Sequence, residues 1–474
     1  MTAGSVRVRF APSPTGRMHL GGVRTALLNY LFAHQKEGTF VLRIEDTDRE
    51  RNFDPGAKQI IADLLWLGLL FEEGPGVEGP YAPYFQSERN NVYKEHLAIL
   101  QDKKLVYKCF CTSEELEKRR ERQIALKQPP RYDKTCLKLS KEDVAKKEAA
   151  HLPFVWRFAI KPNTSVTITD LAKGVITFDL NHFSDFPLTR QDGTFTFIFA
   201  NAVDDMVMRM THILRGEDHL SNTANQAVLY EGLGFKLPLF WHLPILCNTD
   251  GKKLSKRDFG FSLEDLQKAG YIPEAITNYL MLIGGGSFQD EIMSMDQLIK
   301  LMPFDNINST GAIKYDVEKL TWVNHKWIER LSPEKLLAYA KPFLLTAYPQ
   351  AQGLPDTQIS ALLQIVKSEM KTIADVETAT RFYFEAPKVT DTELHELVGS
   401  DATKLSHVLA KHLDLLDKPE QFVQSVKAEA QEHKISIKTL FTYLRLKLTG
   451  STKGPQLHDI INLIGVPEAK KRLT

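Results

Sequence analysis

The sequence has no run of about eighteen apolar residues, the length a helix needs to cross a bilayer, so no membrane span is expected. Cysteine is scarce. Four are present, two of them in Cys109-Phe-Cys111, which gives no disulfide framework and fits a reducing, cytoplasmic setting. Neither sign of charge is in excess: 60 Lys+Arg against 59 Asp+Glu leave a formal net charge of +1, which argues against a globally basic nucleic-acid binder. There is no internal repeat and no low-complexity stretch, and the first strand begins too close to Met1 for a signal or transit peptide to be expected. Two common phosphate-binding signatures are also missing. The first turn does not supply G-x-G-x-x-G. Gly16 and Gly21 have the spacing of a P-loop, but Gly22-Val23 stand where Lys-Ser/Thr belongs.

What remains is an ordinary soluble composition, 43% hydrophobic and 25% charged, in 474 residues, enough for about three domains. The organising stretch is Arg9-Phe-Ala-Pro-Ser-Pro-Thr-Gly-Arg-Met-His-Leu-Gly-Gly22. Before it, Val6, Val8 and Phe10 alternate with Arg7 and Arg9 as in a strand; after it, Val23, Leu27, Tyr30 and Leu31 recur at helical spacing. Strand, glycine turn and helix begin a nucleotide-binding sheet. His19-Leu-Gly21-Gly22 can bring a ring N–H and backbone close to a phosphate; taken alone, it reads equally as a helix-capping histidine. Far downstream, Asn248-Thr-Asp-Gly-Lys-Lys-Leu-Ser-Lys-Arg257 is a polar turn with a run of cations. Its Lys253 and Lys256 can flank a polyphosphate, or the segment is a solvated basic loop.

Residues 39–45 read as a second strand ending in the acidic turn Glu45-Asp-Thr-Asp48, and 55–67 and 93–100 as helices. Beyond residue 105 a charged helix, Ser113 to Lys127, precedes strand-like runs at 154–160, 175–180 and 195–200. The sheet is expected to resume through Asn201–Asp205 and His212–Arg215. A helix capped by Ser221 follows, and His242–Leu246 is the expected last strand. After Arg257 the periods are helical: 263–269, 273–283, 295–301, 317–330, then a helix capped by Ser332 with Pro333 in its first turn. From His433 to Thr474, eight Lys/Arg face two acids, a local basic face compatible with RNA.

Together, H-x-G-[HG] and K-x-S-K-[SR] form the double signature of class I aminoacyl-tRNA synthetases. Here it is His19-Leu-Gly21-Gly22 with Lys253-Leu-Ser-Lys256-Arg257. Ala11-Pro-Ser-Pro-Thr-Gly16, Arg43-Ile-Glu-Asp-Thr-Asp48 and Leu214-Arg-Gly-Glu-Asp-His-Leu-Ser-Asn222 resemble the bacterial-type glutamyl-tRNA synthetases, as does the spacing of these blocks through about residue 330. The C-terminal third resembles that family more loosely. The resemblance implies an α/β Rossmann-like catalytic domain in two halves, 1–86 and 197–248. It implies an α+β acceptor-binding insertion at 87–196, a helical stem-contact region with the lysine loop at 249–332, and an all-α anticodon-binding region at 333–474. It implies ATP-dependent attachment of L-glutamate to tRNA(Glu) through a glutamyl adenylate, with ATP and Mg²⁺ required, by a cytoplasmic monomer.

That chemistry is an in-line attack on the α-phosphorus of ATP and needs positioning and positive charge more than covalent help. The resemblance places His19, Lys253 and Lys256 at the reaction. It places Gly21, Gly22, Asp218, His219 and Ser255 with them around ATP. Arg9 and Arg215 match the family's two side-chain-binding arginines, and arginine's planar fork suits a carboxylate. Ser13 and Asn201 would help hold the amino acid, and Glu45 its ammonium group. Phe197 stands where the family has a tyrosine, so one hydroxyl is absent from amino acid recognition.

Cys109, Cys111 and Cys136 raise a metal question. Some family members place a histidine two residues after the third cysteine, where this chain has Lys138, which cannot ligate when protonated. Related synthetases use a tyrosine four residues before it, where Tyr132 stands. A three-thiolate, one-phenolate zinc site and a vestigial site with free cysteines both stand as readings. Two other functions share the catalytic sheet: a glutamyl-queuosine tRNA(Asp) synthetase, which lacks the helical C-terminal half, and a non-catalytic RNA-binding paralogue, which the intact motifs oppose.

Overall fold

Val8 and Phe10 are buried in β1 (Arg7–Phe10), which pairs in parallel with β2 (Thr39–Leu42), Arg7 opposite Thr39. Parallel neighbours need a crossover, and α1 (Leu20–Gln35) supplies it. Val23, Ala26, Leu27, Leu28 and Leu31 of α1 are all fully buried, so the helix is covered on nearly every side. The computed structural model describes residues 5–48, 52–54, 56–77, 79–255, 257–286, 288–304 and 311–474. These fall into two compact units, Met1–Glu264 with Thr277–Asp316, and Asp265–Ile276 with Val317–Thr474. Among the described residues no helix is long and apolar enough to cross a membrane.

In the first unit, α2 (Lys58–Trp66) and α3 (Asn90–Asp102) follow β2. Next come β3 (Val106–Cys109), α4 (Ser113–Ala125), α5 (Lys141–Ala149), β4 (Val155–Phe158), β5 (Ser165–Asp170), β6 (Gly174–Asp179) and β7 (Phe186–Pro187). Then follow α6 (Phe197–Val207), β8 (His212–Gly216), α7 (Leu220–Leu233), β9 (Leu239–Leu243), β10 (Leu246–Cys247) and β11 (Ile313–Lys314). Strands β3, β4 and β7 form one antiparallel sheet, and a second runs in the order β6-β5-β9-β8. Strand β9 is parallel to both β8 and β5. Thr211, just before β8, donates its N–H to the Arg7 carbonyl at 3.0 Å and lays β8 beside β1. One hydrophobic core joins Tyr93 of α3, Ile168 of β5, Phe199 of α6, Leu229 of α7 and Phe240 of β9.

The structure corrects three sequence-based expectations here. Residues 195–200 and 201–205 are not strands: Phe197–Val207 is a helix. Its residues Phe199 to Met206 are all buried, so no solvent face marks a helical period, and a run of aromatic and β-branched residues then reads as a strand. Ser221 lies inside α7, because the single 3-10 turn Glu217–His219 runs straight into that helix. The last strand is two short ones, β9 and β10, separated at Pro244, which has no N–H to give a ladder.

The second unit is helical. Ser332 Oγ accepts from Lys335 N at 3.3 Å and Pro333 stands in the first turn of Pro333–Ala347, as the sequence predicts. Residues Asp265–Ile276 belong to this unit: Ile373 N donates to the Gly270 carbonyl at 2.8 Å, and Ile272 N to Asn324 Oδ1 at 2.9 Å. Gly270 has φ +80°, and a Cβ there would meet Ala374 N at 2.4 Å, so only glycine fits. The 332/333 boundary therefore falls within a compact unit.

Candidate active site

At the ends of β1, β2 and α6 lies a buried ionic cluster. Arg9 gives Asp205 two hydrogen bonds, at 3.0 and 3.2 Å. Arg43 reaches Asp205 at 2.7 Å and Glu45 at 3.0 Å. Arg89 reaches Asp204 at 2.7 Å, and Gln86 and Tyr93 bond the same carboxylate at 2.8 and 2.9 Å. Three guanidinium groups thus meet three carboxylates, a balance that lets buried charges persist. Burial opposes ionisation of Asp205, but Arg43 and Arg9 hold its carboxyl below the usual range. At Glu45 burial wins and pushes the carboxyl up despite Arg43 and Asn201. Asn201, in α6, donates to Glu45 at 2.5 Å and accepts from Gln226 at 2.7 Å, so the segment after β2 and helix α7 hold its amide from both sides.

Arg215, in β8, stands apart from that balance. It is 6% exposed and bonds Thr223 Oγ1 at 2.6 Å through Nη2, while its Nε and Nη1 are buried without a hydrogen-bond partner among the described residues. Burial, and next the charge of Arg9, lower its pKa to about 10. A buried guanidinium with two idle donors is costly unless an anion meets it. A carboxylate supplies the missing charge and acceptors together. Two further buried polar atoms on α7, Gln226 Oε1 and Tyr230 Oη, are also without partners among the described residues.

The residues expected on the phosphate side lie around the start of α1. His19 caps that helix, its Nδ1 accepting from Gly22 N at 3.0 Å. The cap and the phosphate reading are compatible: with Nδ1 accepting, the neutral ring carries its proton on Nε2 and can donate it elsewhere. Burial, and then Lys253, hold the His19 pKa down. The lysine loop starts beside Asp218, and the chain beyond it reaches His19. Lys253 bridges to Cys247 and pairs with Asp218 at 3.0 Å. Beyond the loop, Leu20 N donates to the Phe261 carbonyl at 3.0 Å, and the Phe261 ring stacks on His19 with centroids 5.5 Å apart. Burial opposes ionisation of Asp218, but the bond from Lys253 together with the charges of His219 and Lys253 holds its carboxyl below the usual range.

The other sequence-predicted residues are placed as follows. Gly21 and Gly22 form the first turn of α1 rather than a loop before it. Ser13 is exposed, in a turn where its carbonyl accepts from Thr15 N. His219 and Phe197 face each other, ring centroids 5.7 Å apart, but Phe197 begins a helix. Ser255 gives both its N–H and its hydroxyl to Asp258 at 2.8 Å, which shapes the loop. Lys256 lies outside the described residues. Sequence reading gave no role to Arg43, Asp204, Asp205 or Gln226. Arg43 lies in a quoted motif, and paired acids within an apolar run are the signal that could have found Asp204 and Asp205.

The cysteine cluster is real in space. Cys109, Cys111 and Cys136 are buried, with sulfurs all within 4.8 Å of one another. The Tyr132 hydroxyl lies 3.3 Å from Cys109 Sγ and 3.7 Å from Cys111 Sγ. Burial pushes the Cys111 thiol up to about 12, while at Cys109 burial is outweighed by the Tyr132 and Arg157 contacts, which lower it. Four zinc ligands at about 2.1–2.3 Å put sulfurs about 3.8 Å apart, close to the 3.5 Å between Cys111 and Cys136. The donor set therefore fits a tetrahedral ion.

Known proteins resemble this chain over its whole length. Residues 5–322 match the family of class I tRNA synthetases (E and Q), catalytic domain, and residues 335–474 match an anticodon binding domain. The chain is similar to a glutamate–tRNA ligase of Bacillus licheniformis, 37% identical over 477 residues, covering 99% of this chain and 98% of that protein. It is equally similar to the one of Bacillus pumilus, 37% identical over 479 residues with 99% of each covered. Among solved structures, a glutamate tRNA ligase from Elizabethkingia meningosepticum in complex with its amino acid superposes with a TM-score of 0.88 at 32% identity, covering 99% of this chain and 98% of that one. With both domains matched and relatives alike from end to end, the chain belongs to the glutamate–tRNA ligases, class I aminoacyl-tRNA synthetases.

Proposed function

We propose that the chain joins L-glutamate to tRNA(Glu) at this site in two steps, with Arg215 reading the side-chain carboxylate. The observation that carries this is Arg215 itself, buried beside a charge-balanced cluster with two donors idle. Glu45, whose carboxylate already takes bonds from Arg43 and Asn201, receives the substrate ammonium. The ends of the molecule so fixed, the α-carboxylate oxygen attacks the α-phosphorus of MgATP; a P–O bond forms to glutamate and the bond to pyrophosphate breaks. His19, Lys253 and Lys256 donate to the charge that grows on the phosphates. The terminal ribose hydroxyl of tRNA then attacks the adenylate carbonyl and AMP leaves. The test is charging of purified tRNA(Glu) and tRNA(Gln) with glutamate and with glutamine. Glutamate transfer to tRNA(Glu) supports the reading; transfer of glutamine alone, or of neither, overturns it.

Supporting roles follow the same reading. The insertion at 87–196 holds the acceptor end of tRNA, 249–332 contacts the stem, and 333–474 reads the anticodon. Of the eight basic residues after His433, Arg472 is spent on Glu468 and on the carbonyls of Phe382 and Leu448, and Arg445 on that of Gly454. Lys434, Lys438 and Lys453 are exposed and suit phosphate contact. Cys109, Cys111, Cys136 and Tyr132 hold a zinc ion that ties β3 to the segment before α5; the ion supplies cross-linking, not catalysis. The protein acts as a monomer in the cytoplasm.

A further inference from the structure

Behind Arg215 runs a line of buried hydrogen bonds that the reaction itself does not use. Asp170, the last residue of β5, and His242 of β9 have side chains that are both 0% exposed, with Asp170 Oδ2 and His242 Nδ1 2.6 Å apart. On the far side of the ring, His242 Nε2 lies 2.8 Å from Thr223 Oγ1. That hydroxyl in turn accepts from Arg215 Nη2 at 2.6 Å.

The directions are fixed by chemistry. Asp170 Oδ2 also accepts from His242 N, and Oδ1 from Ala172 N and Lys173 N, so this carboxylate is surrounded by donors and stays ionised. His242 Nδ1 must then carry the proton, which leaves Nε2 of the neutral ring as an acceptor. Thr223 has two acceptors within reach of its single proton, the His219 carbonyl at 3.2 Å and His242 Nε2 at 2.8 Å; the shorter contact, to a buried Nε2 that needs a donor, takes it, and the hydroxyl oxygen accepts from Arg215. Each bond polarises the next, so the Asp170 charge is felt at Arg215 without contact. Asp170 is the position where β5 meets the sheet, opposite Phe240 of β9, so the line ends on backbone that sheet pairing holds still.

We infer that Asp170, His242 and Thr223 are positioning residues for glutamate recognition: they hold one nitrogen of Arg215 and aim the two idle ones at the substrate carboxylate. This rests on the reading of Arg215 given above. The hydrogen-bond line fixes both the rotamer and the tautomers, so the arginine is ordered before substrate arrives, and less ordering entropy is lost on binding.

The test compares Thr223→Val, Thr223→Ser, Asp170→Asn and Arg215→Met in the full-length protein, by glutamate KM, ATP KM and thermal unfolding. Valine keeps threonine's shape and removes the hydroxyl; serine restores it. The expected result is a glutamate KM raised about tenfold or more in Thr223→Val and Asp170→Asn, with ATP KM unchanged and Thr223→Ser near wild type. Two outcomes overturn the relay while leaving Arg215 its role: a wild-type glutamate KM in Thr223→Val or in Asp170→Asn, or equal rises in both KM values with a lowered Tm. An unchanged glutamate KM in Arg215→Met overturns the reading of Arg215 and the relay with it.

Discussion

Asp205 takes Arg9 on both of its carboxylate oxygens, at 3.0 and 3.2 Å. The family motif presents Arg9 and Arg215 as a pair with one task, yet the two side chains have different surroundings. Arg9 has a carboxylate of the protein's own, shared with Arg43; among the described residues Arg215 bonds only a neutral hydroxyl. One is a member of the fold's ionic cluster that also faces the site. The other keeps its charge available.

Opposite effects on stability should follow. Arg9→Met leaves Asp205 paired, among the described residues, with Arg43 alone, and loss of a partner from a buried pair costs about 3–5 kcal/mol. Arg215→Met removes a buried guanidinium with idle donors and keeps its volume, so stability should hold or rise. Thermal unfolding of the two variants checks this. A Tm that falls as far for Arg215→Met as for Arg9→Met would mean that Arg215 is structural.

Gly21→Ala separates folding from catalysis. A Cβ at Gly21 would stand 3.1 Å from His19 Nδ1, in a ring already held by Gly22 N and stacked on Phe261. The ring must shift by a few tenths of an ångström, while alanine improves the first turn of α1. Adenylate formation should fall about tenfold with Tm unchanged or higher. Pyrophosphate exchange at the wild-type rate would show that the His19 ring position is not critical.

Buried histidines give the protein an acid-side weakness. His242 is held below its usual pKa by burial, with Arg215 and Lys173 adding to it and Asp170 opposing. Its folded pKa is therefore below the unfolded value of about 6.5. Below that pH the unfolded chain binds the proton more readily, so the contribution is complete above about 6.5 and is lost as pH falls. Tm should drop more steeply between pH 7 and 5 in the wild type than in His242→Gln. Parallel slopes would show that His242 does not titrate on unfolding in this range.

Most of this organisation was legible in the sequence, for identifiable reasons. His19 at the cap of α1, Asp218 just past β8 and Lys253 past β10 lie in connections where composition is dominated by Gly, Pro and charge, and local patterns are easiest to read. Ser332 with Pro333 announced its helix by chemistry that acts within one turn. The failures share a different cause. Helix α6 is buried all round, so it offers no period to read, and its Asp204 and Asp205 face partners distant in sequence. Strand β5 alternates perfectly between exposed and buried residues but is only Ser165–Asp170, between two turns, and was not anticipated. The line from Asp170 to Arg215 depends on strand order, which no local pattern encodes.

The metal reading is checked by analysis of protein purified without added zinc. One zinc per chain is expected, lost in Cys136→Ser, with a lower Tm as β3 and the segment around Cys136 come untied. Metal-free protein with wild-type stability would leave the cysteines a packed cluster and nothing more.

The most direct measurement compares wild type and Arg215→Met in kcat/KM for glutamate and for glutamine, each with saturating ATP and tRNA(Glu). Loss of a buried cation that meets the substrate carboxylate should cut the glutamate value on the order of 100-fold and flatten the preference over glutamine, with ATP KM unchanged. A variant that keeps the wild-type preference for glutamate would contradict the assignment of Arg215 as the residue that reads the side-chain carboxylate.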